Sequence, residues 1–345
     1  MPLVSGSATI EQLLFSMVSF PFSNLVQISA VGFFLNSSFS PSYYQLIVNE
    51  NCLNAIINAM NFHPDHYHLQ LWGSRLILWY GAQPQTKALA HSERVVELAI
   101  ANLKGYSTSV ELLSSAVALL MNVSAQPELQ NLVSSQEFID LIFSSLSTGP
   151  ANMKLRQNLI GILFNLSNSI PLLKMLAIPE LPPLINLLMD LHHDVLTFAL
   201  WTSGLVANIS SDPKGGNLFN TPESVDMMNV LATLHSTHSL IHRNVCGFFL
   251  NISKKNVFTA ECILTVERAA TLLPDDVVLR RWAFQYLYNF SFEQDFQAMA
   301  TVGIAEFIWR GLSSYSAALG NSLRMVSKRG MRLPSDSGVY FSGSL

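Results

Sequence analysis

Apolar positions in this chain recur in blocks of three, most plainly in residues 125–167, AQPELQNLVSSQEFIDLIFSSLSTGPANMKLRQNLIGILFNLS. Gln126 and Pro127 open a short first helix whose apolar residues include Leu129, Leu132 and Val133. A second helix starts near Gln136 and carries Phe138, Ile139, Ile142, Phe143 and Leu146, spaced to make one apolar face. Ser147, Thr148, Gly149 and Pro150 end it. The third helix holds Met153, Leu155, Leu159, Ile160, Ile162, Leu163 and Phe164, apolar around most of its circumference, as expected of the best-buried helix of a stack.

The same block repeats. Asn36, Trp79, Asn122, Asn165, Asn208 and Asn251 stand 43 residues apart, and Asn289 follows after 38. Around them lie GFFLNSS, ALLMNVS, GILFNLS, GLVANIS, GFFLNIS and QYLYNFS. A period of this size in helical segments predicts stacked helical units that grow by addition and present a long surface. The shorter seventh spacing is expected to come from a trimmed LLPDD connection around Pro274. The NxS triplets directly follow apolar helical runs, so they read as helix ends with Asn in a left-handed cap rather than as exposed glycosylation sites.

This three-helix unit with its NLS, NIS or NVS ending resembles the armadillo repeat, over roughly residues 7 to 315, with HEAT-like repeats as the second choice. The resemblance implies an all-α, right-handed superhelical armadillo-like solenoid of about 43-residue three-helix repeats, occupying residues 1–320 with incomplete first and last units. Pro179, Pro182 and Pro222 take the place of the family's Gly turn before the second helix. The Ser- and Gly-rich basic segment 321–345 is expected to be disordered. In the family, third helices line a concave groove where Asn side chains hold the backbone of an extended peptide. By resemblance, Asn122, Asn165, Asn208 and Asn251 are the peptide-binding candidates here.

Four residues before each landmark the import adaptors carry Trp, whereas this chain has Gly32, Arg75, Ala118, Gly161, Gly204, Gly247 and Gln285. Classical localisation-signal binding is therefore not expected. Glycine inside a helix costs about 1 kcal/mol against alanine, so these glycines serve either close helix packing or room for a ligand main chain. Seven residues before the landmark stand Trp72, Trp201 and Trp282, with Ser115, Asn158 and Asn244 between. Trp201 joins the peptide-binding candidates, as do Arg243 and Arg281, which would make one part of the groove basic and suited to an acidic peptide.

Composition narrows the function classes. Charged residues are only 12% of the chain and the net charge is −4, without a basic stripe before the tail, which argues against nucleic-acid binding. Polar residues interrupt every apolar run well short of the roughly 20 residues of a membrane span. Cys52, Cys246 and Cys262 form no CxxC pair and read as reduced core residues. The first 20 residues hold no Lys or Arg, so no secretory or transit signal is read there. A cytoplasmic protein is expected, with the nucleus as alternative.

His63, His192 and His235 share one repeat position and read as solvated loop residues rather than metal ligands. SDPKGGN at 211–217 reads as a turn between repeats, and no nucleophile elbow, zinc-protease motif or dinucleotide fingerprint is present. The expectation is a noncatalytic scaffold or adaptor without cofactor or metal, holding a protein or extended peptide segment, with other subunits covering its open ends. A structural subunit of a ciliary or cytoskeletal assembly and a nuclear transport adaptor are the alternatives.

Overall fold

The computed structural model describes residues 6–253 and 260–290 and is all-helical among them. In chain order the helices are α1 (Gly6–Ser19), α2 (Asn24–Ser37), α3 (Pro41–Ile47), α4 (Glu50–Phe62), α5 (Tyr67–Gly81), α6 (Lys87–Ala90), α7 (Glu93–Gly105) and α8 (Val110–Ser124). After a 3-10 helix, Pro127–Val133, come α9 (Gln136–Thr148), α10 (Met153–Ser167), α11 (Ile170–Leu176), α12 (Leu181–His192), α13 (Leu196–Ser210) and α14 (Pro213–Phe219). The described chain closes with α15 (Pro222–Leu234), α16 (Ser239–Ile252), α17 (Ala260–Leu272) and α18 (Val277–Phe290). The three-part block predicted for 125–167 is reproduced almost residue for residue, its first element being 3-10 rather than α.

The chain divides into two compact units, residues 1–166 and 167–345. In the first, third helix α5 packs on α2 and on α8; in the second, α16 packs on α13 and on α18. Second helices are amphipathic: α9 buries Phe138, Ile139, Ile142 and Leu146 and turns its other face outward. Third helix α13, by contrast, buries every residue from Thr202 to Ser210. Second helices begin at side-chain caps where the sequence supplies one. Asn49 accepts from Cys52 N (3.0 Å), Ser135 from Phe138 N (3.1 Å) and Thr221 from Ser224 N (3.3 Å). Pro182 and Pro222 sit in first turns, where the missing N–H costs nothing.

Two expectations are corrected. SDPKGGN is the start of helix α14, with Asp212 as N-cap accepting from Lys214 N (2.9 Å) and Gly215 N (3.3 Å). The five-residue loss does not lie near Pro274. Connections α15–α16 and α17–α18 are equally long, whereas α17 already starts 38 residues after α15, so the loss falls between Ile252 and Ala260. The helical elements expected at 296–315 and the tail at 321–345 lie outside the described residues.

No single helix among the described residues is long and apolar enough to cross a membrane; α11 and α12 pass such a test only as a pair bent by 83°.

Candidate functional site

The landmark asparagines do not cap their helices. Asn36, Asn122, Asn165, Asn208 and Asn251 lie inside α2, α8, α10, α13 and α16, and the residues ending four of these helices, Ser38, Ala125, Ser211 and Ser253, are all right-handed. A left-handed cap was expected, but Asn has a stronger use for its amide. Asn165 Nδ2 donates to Ser124 Oγ at 3.0 Å, Asn208 to Ser167 at 2.9 Å, Asn251 to Ser210 at 3.2 Å and Asn289 to Ser253 at 3.0 Å. Each acceptor is the Ser of the NxS triplet one repeat earlier. Three of these hydroxyls in turn donate to the carbonyl three residues back in their own helix: Ser124 to Met121 O (2.8 Å), Ser210 to Ala207 O (2.9 Å) and Ser253 to Leu250 O (2.7 Å). Asn and Ser of the triplet are therefore the two halves of a rung, one facing each neighbour.

The rungs fail where either half is missing. Trp79 replaces Asn in the second repeat and lies edge-on to Tyr44, with ring centroids 5.5 Å apart. The residue in register to receive Asn122 is Gly81, which has no hydroxyl; the half-exposed Asn122 side chain makes no hydrogen bond among the described residues, only its carbonyl accepting from Gln126. Of the four candidate asparagines, the structure thus holds Asn165, Asn208 and Asn251 against a neighbouring triplet and leaves Asn122 open.

Two glycines of the third helices, Gly32 and Gly247, seat tryptophans. A Cβ on Gly32 would lie 3.1 Å from the Trp72 ring and one on Gly247 would lie 3.4 Å from Trp282, which is 6% exposed. Glycine stands where the next helix brings a large ring close, which offsets its helix cost through packing. Where the incoming residue is Asn244, its amide instead lies 2.9 Å from Ser203 Oγ. Trp201 is half-buried. Arg243 Nε pairs with the nearly buried Asp276 at 2.6 Å, so its charge is compensated within the fold, while Arg281 is exposed.

The histidine position expected to be solvated is a third kind of rung. His63 Nε2 lies 2.8 Å from Pro21 O and His235 Nε2 2.8 Å from His193 O, and Tyr106 at the same position donates to Pro64 O at 2.9 Å. A long side chain at the end of one second helix thus bonds the loop of the previous repeat, a distance no sequence pattern displays. His192 is half-buried with its ring edge on Phe198, 5.3 Å away. Among the described residues no three His, Cys, Asp or Glu side chains come together as a metal site would require.

His242 is 1% exposed, and its Nε2 donates to Ser236 O at 2.9 Å. Four repeats earlier, Gln70 makes the same clasp, donating to Met60 O (2.8 Å) and His63 O (2.9 Å). Burial lowers the His242 pKa below the usual imidazole value, the Ser236 bond opposing it and the charges of His238 and Arg268 adding to it. Burial, with Lys87 nearby, also lowers that of His91. As pH falls through about 6.5 the unfolded imidazoles take up protons that the folded ones resist, so stability is lost on acidification. His242→Gln restores the clasp without a titrating ring. Its midpoint in urea is expected to fall less than that of the parent between about pH 7.5 and pH 5.5. Parallel pH profiles for both proteins would remove His242 as a source of acid sensitivity.

A scan against protein-family models returns no match, and a search of curated proteins finds no similar sequence. What the fold and its contacts define is an all-helical protein whose repeats are joined by side-chain rungs.

Proposed function

We propose that this chain is an armadillo-like solenoid acting as a noncatalytic binding scaffold or adaptor, which holds an extended segment of a partner protein along its third helices. The observation that carries this reading is the spacing of the rungs. Bonds from Asn165, Asn208 and Asn251 each span 41 residues, matching the sequence period to a physical join between successive units. Residues repeated in register are used to join repeats, so the residues that vary along the same helices are the ones free to choose a partner.

The rungs also change which residues are proposed to touch that partner. Amides already bonded to Ser cannot donate to a peptide without loosening the stack, whereas Asn122 offers both donor and acceptor. Half-buried Trp201 and exposed Arg281 supply an apolar surface and a charge. The test is affinity capture with the full chain, followed by titration of the captured partner. Asn122→Ala and Arg281→Ala should each weaken binding by about 1 kcal/mol, roughly fivefold, with the melting temperature unchanged. If both variants bind as the parent does, the third-helix reading is wrong.

A structural role in a larger assembly is the second reading, favoured by the N-terminal surface. Phe15, Val18, Phe22, Leu25 and Phe39 are each at least 73% exposed, and residues 1–49 contain a single charged side chain, Glu11. Large apolar side chains this exposed, with so little charge around them in sequence, mark an interface. A concentration-independent monomer by sedimentation, unaffected by Phe22→Ser, would count against that role.

A further inference from the structure

Second helices α12, α15 and α17 pack side by side, α12 on α15 and α15 on α17. Their most exposed stripes align in register. Along α12 and its cap the stripe reads Glu180, Pro183, Leu187 and Leu191; along α15 it reads Glu223, Asp226, Val230 and Leu234; along α17 it reads Glu261, Leu264, Arg268 and Leu272. One end of the face is thus a row of glutamates and the other a row of leucines. Leu191, Leu234 and Leu272 are 55%, 51% and 50% exposed, and Leu187 and Val230 beside them are exposed too. Between α12 and α15 the surface sinks into a cleft of about 290 Å³ with Met189 and Met227 among its lining and Asp190, Glu223 and Asp226 at its edges.

The fold does not require leucine at these positions. In the repeats of residues 1–166 the equivalent pairs are Phe15 and Ser19, Asn58 and Phe62, Ala101 and Gly105, and Ser144 and Thr148. Phe15 and Phe62 are the large apolar ones: Phe15 belongs to the exposed N-terminal surface, and Phe62 is occupied by an edge-on contact with Phe22 at 5.2 Å, while the third and fourth repeats carry only small or polar residues. The second unit therefore exposes apolar side chains where the same architecture tolerates small or polar ones. Such a patch costs solubility and is a mark of docking.

Charge decides what docks. Glu180, Asp190, Glu223, Asp226 and Glu261 are exposed and take part in no ion pair among the described residues, and Arg268 is the one Lys or Arg on the three helices. An acidic field around an apolar row repels anionic lipid and acidic peptide and attracts a cationic partner. Geometry then selects the partner's form. Packed helices lie about 10 Å apart, and seven residues of a helix advance about 10.5 Å, so a helix crossing the three would meet one leucine per heptad. Its basic flank would reach the Asp226 and Glu223 positions, about 6 and about 10.5 Å along α15 from Val230.

We propose that the exposed face of α12, α15 and α17 is a docking surface for a basic amphipathic helix of a partner protein, with Leu191, Leu234 and Leu272 as its apolar anchors. This site is separate from the third-helix site and stands or falls without it. The probe is a fluorescein-labelled helical peptide of about three heptads with leucine on one face and lysine on its flanks, titrated by anisotropy into the full chain. Binding should weaken on going from about 50 to 200 mM salt. It should fall about tenfold in the triple variant Leu191→Ser, Leu234→Ser, Leu272→Ser, whose positions are exposed and whose melting temperature should hold. Glu180→Gln, Glu223→Gln, Asp226→Asn and Glu261→Gln together should remove most of the salt dependence. The proposal is overturned if the parent does not bind the peptide, if the serine variant binds equally well, or if a counterpart with glutamate in place of lysine binds as tightly. Leucine methyl resonances give an independent reading: shifts at Leu191, Leu234 and Leu272 support the site, and shifts confined to other leucines overturn it.

Discussion

Asn208→Ala is expected to destabilise the protein by about 1–3 kcal/mol, while Asn122→Ala stays within about 0.5 kcal/mol of the parent. The two residues occupy the same repeat position and differ in what lies opposite and, with it, in how deeply they are buried. Asn208 is 3% exposed and donates to Ser167 Oγ at 2.9 Å and to Asn168 Oδ1 at 3.2 Å. Truncation strips both acceptors of a donor and leaves a void between packed helices. One effect opposes this: Asn208 Oδ1 is itself buried without a partner, and alanine removes that cost. The bonds made outnumber the one missing, so the net sign is destabilising. Asn122 faces Gly81 and has no rung to lose. Urea midpoints of the two variants decide the matter, and equal midpoints would show that the rungs do not hold the stack. A double-mutant cycle on Asn251 and Ser210 should return a coupling of about 0.5–1.5 kcal/mol if the hydroxyl is the true partner.

Gly215→Ala should be worse, costing about 2–4 kcal/mol, whereas Gly247→Ala should be neutral or stabilising by up to about 1 kcal/mol. Gly215 lies in the first turn of α14, and a Cβ there would overlap the Ile209 carbonyl oxygen and lie 2.7 Å from Ile209 Cγ2. Backbone cannot step aside as a flexible side chain can, so α14 would have to lift off the end of α13. At Gly247 the new methyl would meet the Trp282 ring at 3.4 Å, an ordinary contact, and the helix would gain propensity. Gly32 sits between these cases at 3.1 Å from Trp72. Chemical denaturation ranks the three, and a Gly215→Ala protein as stable as the parent would mean that α14 does not rest on Ile209.

Both predictions rest on what lies opposite a residue, which its place in the chain does not show. Asn122 and Asn208 share a motif, and Gly215, read as part of a turn, and Gly247, read as a helix-weakening glycine, are told apart by Ile209 and Trp282. A signal for the rungs was nonetheless present in the triplets: wherever Asn has a hydroxyl two residues past the previous landmark, the bond forms, and Gly81 marks the one described gap after Asn122. That pairing is invisible while each triplet is read as the end of its own helix. Histidines misled for a related reason. His63 and His235 stand in loops, where solvation is the ordinary expectation, but their rings bond loop carbonyls of the preceding repeat at 2.8 Å.

By itself the sequence determined the period, the three-helix block and the division into amphipathic second helices and all-round apolar third helices, because hydrophobic spacing along a helix is a local property of the chain. Pro182 and Pro222, expected in the turn before a second helix, instead lie in its first turn, where the missing N–H costs nothing. Tertiary structure alone decided that Asn165 meets Ser124, that Trp282 rests on Gly247, that Arg243 is matched by Asp276, and that Leu191, Leu234 and Leu272 share one exposed face. Each of those depends on the rotation and axial offset of one helix against another, quantities set by side-chain packing between helices and not by the pattern within either.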